Sequence, residues 1–193
     1  PDATATHITT VTGGKTLQIS AAKANGRKIQ GAGTVAVTDG DATTAADLSN
    51  ITGTAATYAC TNGTNVTGDL PAADAVQIKN NITLGGDILT TGKDYEVATG
   101  VTLTSTAARV SGKTTSGAGT VTITTLDATS ELANIDTTTV NVAATASITL
   151  TGTLPDATAT HITTVTGGKT LQISAAKANG RKIQGAGTVA VTD

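Results

Sequence analysis

The sequence predicts an all-β protein with short helical turns, arranged as a β-solenoid-like repeat array. Three observations favour this fold: an unchanged internal repeat, short runs of alternating β-branched residues, and a shortage of large side chains. The 193 residues include 45 threonines and 22 glycines, only two tyrosines, and no Phe, Trp or Met. Leucine and isoleucine are therefore the bulkiest aliphatic side chains, and they suit a narrow solenoid interior.

The internal repeat is the strongest of these observations. Residues 1–39 recur without a change as residues 155–193, so the period is 154 residues long. Folding alone would not enforce this identity, because surface positions tolerate substitution. The chain therefore carries tandem copies or is a window from a longer array, and its start at Pro1 suggests an interior fragment or a mature piece. In either case, a period must be able to follow a copy of itself.

An older and more divergent duplication lies inside the period. The GAGTV motif of residues 31–35 returns at residues 117–121, and Leu17 and Gly26 match Leu103 and Gly112 at the same offset. The predicted organisation is a partial repeat over residues 1–39, identical to 155–193, followed by two half-repeats. The first covers residues 40–116 with an insertion near 88–101, and the second covers 117–193 and runs into the next period.

Local patterns predict the elements. Apolar and threonine residues alternate in five short runs that should form strands with Val, Ile or Leu on one face, at residues 16–19, 34–37, 120–123, 139–142 and 147–150. Residues 21–26 predict either a single helical turn or a tight loop, closed by Gly26. Two further short helices are predicted over residues 41–51 and 127–135, each starting at an aspartate that can cap it.

Many short strands are also compatible with a second architecture, a pair of small β-sandwich modules of the immunoglobulin-like kind. A sandwich holds its two sheets about 10 Å apart and fills the gap with large side chains. The solenoid, with coils of roughly 15 to 25 residues, is the better match to this composition.

Charge and composition exclude several function classes. The net charge is −2, the twelve Lys and Arg residues are scattered, and aromatic residues for base stacking are almost absent, so we predict no nucleic-acid partner. No apolar run approaches the roughly 18 residues of a membrane span, so we predict no transmembrane helix. We also predict no enzyme activity, no catalytic or cofactor-binding residue, no metal site and no cofactor.

Single residues that could carry chemistry have simpler interpretations. Cys60, the one cysteine, is expected to be a small half-buried hydrophobe, and His7 and its copy His161 are expected to be surface or edge residues. Asp39 and Asp41 could contribute to a calcium site, but a helix cap is the better interpretation of Asp41.

A further candidate resembles part of a phosphate loop. Residues 13–16 read GGKT, as at the end of a Walker motif, but the first glycine of that motif would fall at Thr9. A β-turn is the better interpretation of these four residues.

A threonine- and valine-rich strand (residues 120–124), an Asp-Ala-Thr cap (127–129) and a short Leu-x-Asn-Ile segment (132–135) follow one another. This order resembles the repeat regions of very large secreted bacterial surface proteins, including giant adhesins, filamentous-haemagglutinin-like proteins and S-layer proteins. The resemblance implies export, an extracellular or cell-surface location, and a structural or adhesive role. The glycine-rich nonapeptide of calcium-binding toxin repeats is absent.

The predicted function is a structural repeat segment of an extracellular or cell-surface filament, stalk or surface layer. Its partners would be copies of itself, associating end to end through the identical repeats. The alternative is an adhesin repeat that binds a glycan or a surface receptor through the loop at residues 92–100. Tyr58 and Tyr95 are the only aromatic residues that could stack on a sugar.

Overall fold

The computed structural model describes residues 7–41, 48, 50–52, 55–62, 65–66, 75–84 and 94–193. Of these residues, 53% lie in strands and 8% in helices, and they form a β-solenoid of about 8 turns. The predicted fold class is therefore confirmed. The chain divides into two compact units, Pro1–Glu96 and Val97–Asp193.

Among its described residues, the first unit contains one short helix, α1 (Ala21–Ala24), between short strands. Its described strands are β1 (Thr9–Val11), β2 (Thr16–Ile19), β3 (Ile29–Gly31), β4 (Thr34–Asp41), β5 (Ile51–Thr52), β6 (Ala55–Asn62), β7 (Asn65–Val66), β8 (Ala75–Ile78), β9 (Ile82–Leu84) and β10 (Asp94–Val97), which ends at the border with the second unit.

The second unit repeats this plan with two short helices, α2 (Ala107–Val110) and α3 (Ala175–Ala178). Its strands are β11 (Thr102–Ser105), β12 (Thr115–Ile123), β13 (Ile135–Ala144), β14 (Ile148–Thr149), β15 (His161–Val165), β16 (Thr170–Ser174), β17 (Lys182–Gly185) and β18 (Thr188–Thr192).

Within each unit, every strand pairing that the structure describes and registers is parallel. Thr16 lies beside Thr34, and Ile148 lies beside Leu171, so one coil advances the chain by 18 to 23 residues. This agrees with the predicted coil length. The immunoglobulin-like alternative is wrong, because those sandwiches are built from antiparallel strands.

Alternation along each strand places the apolar side chains inside the coil. In β12, Val121 and Ile123 are buried while Thr122 between them is partly exposed. The parallel register then places aliphatic side chains of neighbouring strands beside one another. Leu103, Val121 and Val140 are paired in this way in three successive coils. Such columns of aliphatic residues form the core, and threonine covers the outside.

The GAGTV motif marks a corner where two coils approach closely. Its first glycine, Gly117, has a φ of 112°, a conformation that favours glycine. A Cβ atom there would lie 2.4 Å from the carbonyl oxygen of Val97 in the preceding coil. Gly31 repeats this arrangement against Val11 in the first unit, with a distance of 2.2 Å. The motif is therefore a packing requirement of the solenoid.

The helical turn predicted at residues 21–26 is confirmed as α1. Ser20 precedes the helix, and its hydroxyl accepts a hydrogen bond from the Lys23 amide at 3.3 Å. Gly26 follows with a φ of 64°, as expected for a glycine that ends a helix.

The helix predicted over residues 127–135 is wrong. The chain instead makes two turns, separated by a parallel bridge between Glu131 and Thr153 of the next coil. The Thr153 hydroxyl oxygen accepts hydrogen bonds from the Leu132 and Ala133 amides, at 3.0 and 3.2 Å, so these amides are engaged outside any helix. Most of the helix predicted over residues 41–51, and part of the insertion predicted near 88–101, lie outside the described residues.

Replacing Thr153 by valine should therefore lower the free energy of unfolding of the second unit by about 1–2 kcal/mol, because the Ala133 amide loses the hydroxyl acceptor and the Leu132 amide keeps only the carbonyl oxygen of residue 153, at 3.3 Å. Thr153→Ser keeps the oxygen and serves as the matched control. Urea denaturation followed by circular dichroism measures both variants. A valine variant as stable as the original chain would show that these hydrogen bonds contribute nothing.

Candidate functional site

The repeated sequence forms the same order of elements at both of its positions, over the described residues 7–39 and their copies 161–193. We call residues 1–39 the N-terminal repeat segment and residues 155–193 the C-terminal repeat segment. Equivalent elements are β1 and β15, β2 and β16, α1 and α3, β3 and β17, and β4 and β18. Each segment has a front face, toward the coil that precedes it, and a back face, toward the coil that follows it. The two segments differ in which face is covered.

The back face is covered in the N-terminal repeat segment. Val35 and Val37 of β4 lie beside Ala56 and Tyr58 of β6, and both valines are buried. In the C-terminal repeat segment, the equivalent of Val37 is Val191. Val37 is 1% exposed and Val191 is 56% exposed, although their local sequence is identical. The difference in exposed fraction shows that the following coil is what buries this valine.

Asp39 makes a contact within the N-terminal repeat segment itself. One oxygen of its carboxylate accepts a hydrogen bond from the amide of Ala21 at 2.6 Å, at the start of α1. The carboxylate thus satisfies a helix amide that has no partner within the helix. The sequence interpretation considered Asp39 as a calcium ligand, and the structure gives it this capping contact. Among the described residues, no group of three or more His, Cys, Asp or Glu side chains could hold a metal ion.

The front face is covered in the C-terminal repeat segment by residues 147–155. Ile148 of β14 lies beside Leu171, and the amide of Leu150 donates a hydrogen bond to the carbonyl oxygen of Gln172 at 2.9 Å. The side chains of Leu150 and Leu154 are both buried. The C-terminal repeat segment therefore pairs with the backbone of this stretch, and two leucines of the stretch are buried.

Two cationic side chains of the C-terminal repeat segment hold the backbone of the same stretch. The Lys177 ammonium donates to the carbonyl oxygens of Leu150 and Thr151, and the Arg181 guanidinium donates to those of Leu154 and Pro155. Burial lowers the pKa of Arg181, and the nearby charge of Asp156 partly opposes this shift. Together the two cations bind two pairs of successive carbonyl groups, those of residues 150–151 and 154–155, at the junction between the C-terminal repeat segment and the stretch that precedes it.

His161 lies at the same junction. Its Nδ1 atom is 2.8 Å from the carbonyl oxygen of Asp156, and its Nε2 atom is 3.0 Å from the carbonyl oxygen of Thr137 in β13. The ring therefore connects the C-terminal repeat segment to the preceding coil. Its copy, His7, is exposed.

The front face of the N-terminal repeat segment is open. Leu17 and Ile19 are only half-buried, whereas their copies Leu171 and Ile173 are buried. A cavity of about 520 Å³ lies over these side chains, and Lys23 and Arg27 form part of its wall together with Thr9. Ile8, next to this region, is 47% exposed. The open face presents the same residues that seat residues 147–155 in the other segment.

Other residues singled out by the sequence lie elsewhere. Cys60 is buried more completely than the predicted half-buried state, and Tyr58 and Tyr95 are fully buried, so neither tyrosine can stack on a sugar. Residues 13 and 14 form the predicted turn, which the hydrogen bond from the Lys15 amide to the Thr12 carbonyl oxygen closes at 3.0 Å, with a φ of 72° at Gly14; Thr16 begins β2. In the loop at residues 92–100, the described part is β10 and the turn after it.

No protein-family model, curated protein or solved structure matches the chain. Among the described residues, no helix is both long enough and apolar enough to cross a bilayer.

Nothing in the sequence alone indicates that Lys177, Arg181 and His161 lie at this junction. Their partners are backbone carbonyl groups, which carry no residue-type pattern that a sequence could show. The one available signal was their position inside the unchanged 39-residue repeat.

Proposed function

We propose that the chain is a structural repeat segment of an extracellular or cell-surface filament, stalk or surface layer, which associates end to end with copies of itself. One observation carries this proposal. The same sequence is covered on its back face in one position and on its front face in the other. A repeat segment covered on both faces at once would continue the solenoid from one period into the next. It would use the same contacts that the two copies make separately in this chain.

The physical basis is the open edge of a parallel stack. A terminal strand presents unpaired amide and carbonyl groups, together with the apolar side chains of its coil. The next coil covers both, so each added period removes one open edge and creates an equivalent one. Repeat proteins gain stability from such contacts between neighbours, and the array needs no other interface.

The location outside the cell is supported by the resemblance to bacterial surface repeats in composition and rhythm. The adhesin alternative has less support, because the two tyrosines proposed for sugar stacking are buried. A structural role would use the contacts between identical repeats. Glycan binding would require exposed aromatic side chains, which the two buried tyrosines do not supply.

Arrays of one, two and four periods test the proposal. Roughly eight coils of a 154-residue period, stacked at about 4.8 Å, should lengthen a rod by roughly 38 Å per added period. Electron micrographs would measure the length, and fibre diffraction should show a 4.8 Å spacing along the axis. Strings of separate globules, or particles whose length does not grow with the number of periods, would contradict the proposal.

A further inference from the structure

We propose that His161 makes a proton-dependent contact between β13 and the loop at residues 156–160. With both ring nitrogens protonated, the ring binds both elements, and the loss of one proton removes one of these two hydrogen bonds. The inference does not depend on the proposed function, because the ring and both of its partners belong to the same unit of one chain. The evidence is the kind of atom that faces each ring nitrogen.

Both ring nitrogens of His161 face hydrogen-bond acceptors. Nδ1 is 2.8 Å from the carbonyl oxygen of Asp156, and Nε2 is 3.0 Å from the carbonyl oxygen of Thr137. A carbonyl oxygen accepts and cannot donate, so each contact needs an N–H group on the ring. A neutral imidazole has one N–H group, and its other nitrogen presents a lone pair. The doubly protonated ring is therefore the form that makes both contacts.

The neutral ring has no arrangement that satisfies both carbonyl oxygens. Either tautomer would place a nitrogen lone pair 2.8 or 3.0 Å from an oxygen, which loses a hydrogen bond and adds electrostatic repulsion. Turning the ring over would place carbon atoms at both positions. The Thr137 hydroxyl does not supply a proton to the ring, because it donates to the carbonyl oxygen of Thr139 at 3.2 Å.

The charged residues around the ring balance one another in the described part of the chain. Asp136 lies in β13 and Asp156 in the loop itself. Lys182 is the first residue of β17, which pairs with β15, and Arg181 precedes it. The Arg181 guanidinium binds the carbonyl oxygens of residues 154–155, and the charge of Asp156 acts on it. Since two acidic and two basic side chains offset each other, the two carbonyl oxygens decide which form of the ring fits.

The loop that the ring holds has few other strong contacts among those described. Residues 156–160 are exposed. The Val140 amide of β13 donates to the carbonyl oxygen of Thr160, and the His161 amide donates to that of Thr158, both at 3.3 Å. These distances exceed the common value of about 2.9–3.0 Å. The two ring contacts are shorter, and a charged donor strengthens them, so losing one should increase local opening of the loop.

The sign of the pH dependence follows from this preference. The folded loop favours a ring proton that the unfolded chain releases as the pH rises through the range where histidine changes its charge, between about pH 5 and 8. The contact should therefore contribute most to stability at the acidic end of this range and lose that contribution toward the alkaline end. Lysine and arginine side chains ordinarily stay charged over the same range, so the histidine is the pH-sensitive group at this junction.

Nitrogen-15 NMR of the histidine rings in the 193-residue chain tests the inference at about pH 7, where an ordinary histidine is mostly neutral. A ring nitrogen that carries a proton and one that does not give well-separated signals. We expect His161 to show two N–H nitrogens. The chain has two histidines, so the His7→Gln variant assigns the remaining signals to His161. One unprotonated nitrogen in the His161 ring at this pH would overturn the inference.

Hydrogen exchange measures the consequence for the loop. Protection of the Val140 and His161 amides, relative to an unfolded chain at the same pH, should be about tenfold greater at about pH 5.5 than at about pH 8. His161→Gln should abolish this difference, and His7→Gln, at the same position of the identical sequence, should retain it. An equal pH difference at the Val140 amide of His161→Gln would overturn the inference. The NMR measurement uses no variant at position 161, so a folding defect there does not affect it.

Discussion

Replacing Gly33 by alanine should lower the free energy of unfolding of the first unit by about 2–3 kcal/mol. Gly33 is the second glycine of the GAGTV motif, and a Cβ atom there would lie 2.5 Å from Cγ1 of Val11. It would also lie 2.6 Å from the carbonyl oxygens of Thr12 and Lys15. Two of these three atoms belong to backbone, which moves only if the coil moves. The added methyl group must therefore separate two hydrogen-bonded coils.

Gly26→Ala is the matched control. Gly26 has a φ of 64°, but no atom lies within 4 Å of its Cβ position, so alanine meets backbone strain without a steric clash. We expect a smaller loss, of about 1 kcal/mol. Urea denaturation followed by the fluorescence of Tyr58 and Tyr95, which are both buried in the same unit, measures both variants. A Gly33→Ala variant as stable as Gly26→Ala would show that the corner is not tightly packed.

The fold was predictable because its main determinants are local. Alternation in runs such as residues 120–123 fixed both the strand and the face that it buries. The absence of large side chains separated a narrow coil from a sandwich. The alternation is a signal within a few neighbouring residues, and the shortage of large side chains is a property of the whole chain.

The parts that were not predictable depend on the next or the preceding coil. Residues 127–135 have the cap and the spacing of a short helix, but the hydroxyl of Thr153 competes for two of the amides. Propensity is weak for so short a helix, so a tertiary contact decides the outcome. The contacts of Lys177 and Arg181 depend in the same way on which residues of the preceding coil lie beside them. The sequence does not give this register, because the coil length varies from 18 to 23 residues.

The largest effect is expected for a charge placed in the covered back face. Val37→Asp should lower the free energy of unfolding of the first unit by about 4 kcal/mol or more, because a carboxylate would be buried between coils beside Tyr58. The matched variant is Val191→Asp, at the same position of the identical sequence. Since Val191 is more than half exposed, we expect a loss of about 1 kcal/mol or less.

The same pair of substitutions separates a continuous solenoid from a chain of independent units. If another period follows residue 193, the coil equivalent to β6 should cover Val191 as it covers Val37. Val191→Asp should then become as destabilising in a two-period array as Val37→Asp is in the 193-residue chain. Hydrogen exchange at β18 measures this directly, because its amides should gain protection in the unsubstituted array and lose it in the variant. The free energy lost through a buried charge depends on whether a coil covers the charged side chain. If Val191→Asp leaves the free energy of unfolding of the longer array unchanged, no coil covers Val191, and the back face is not a junction between periods.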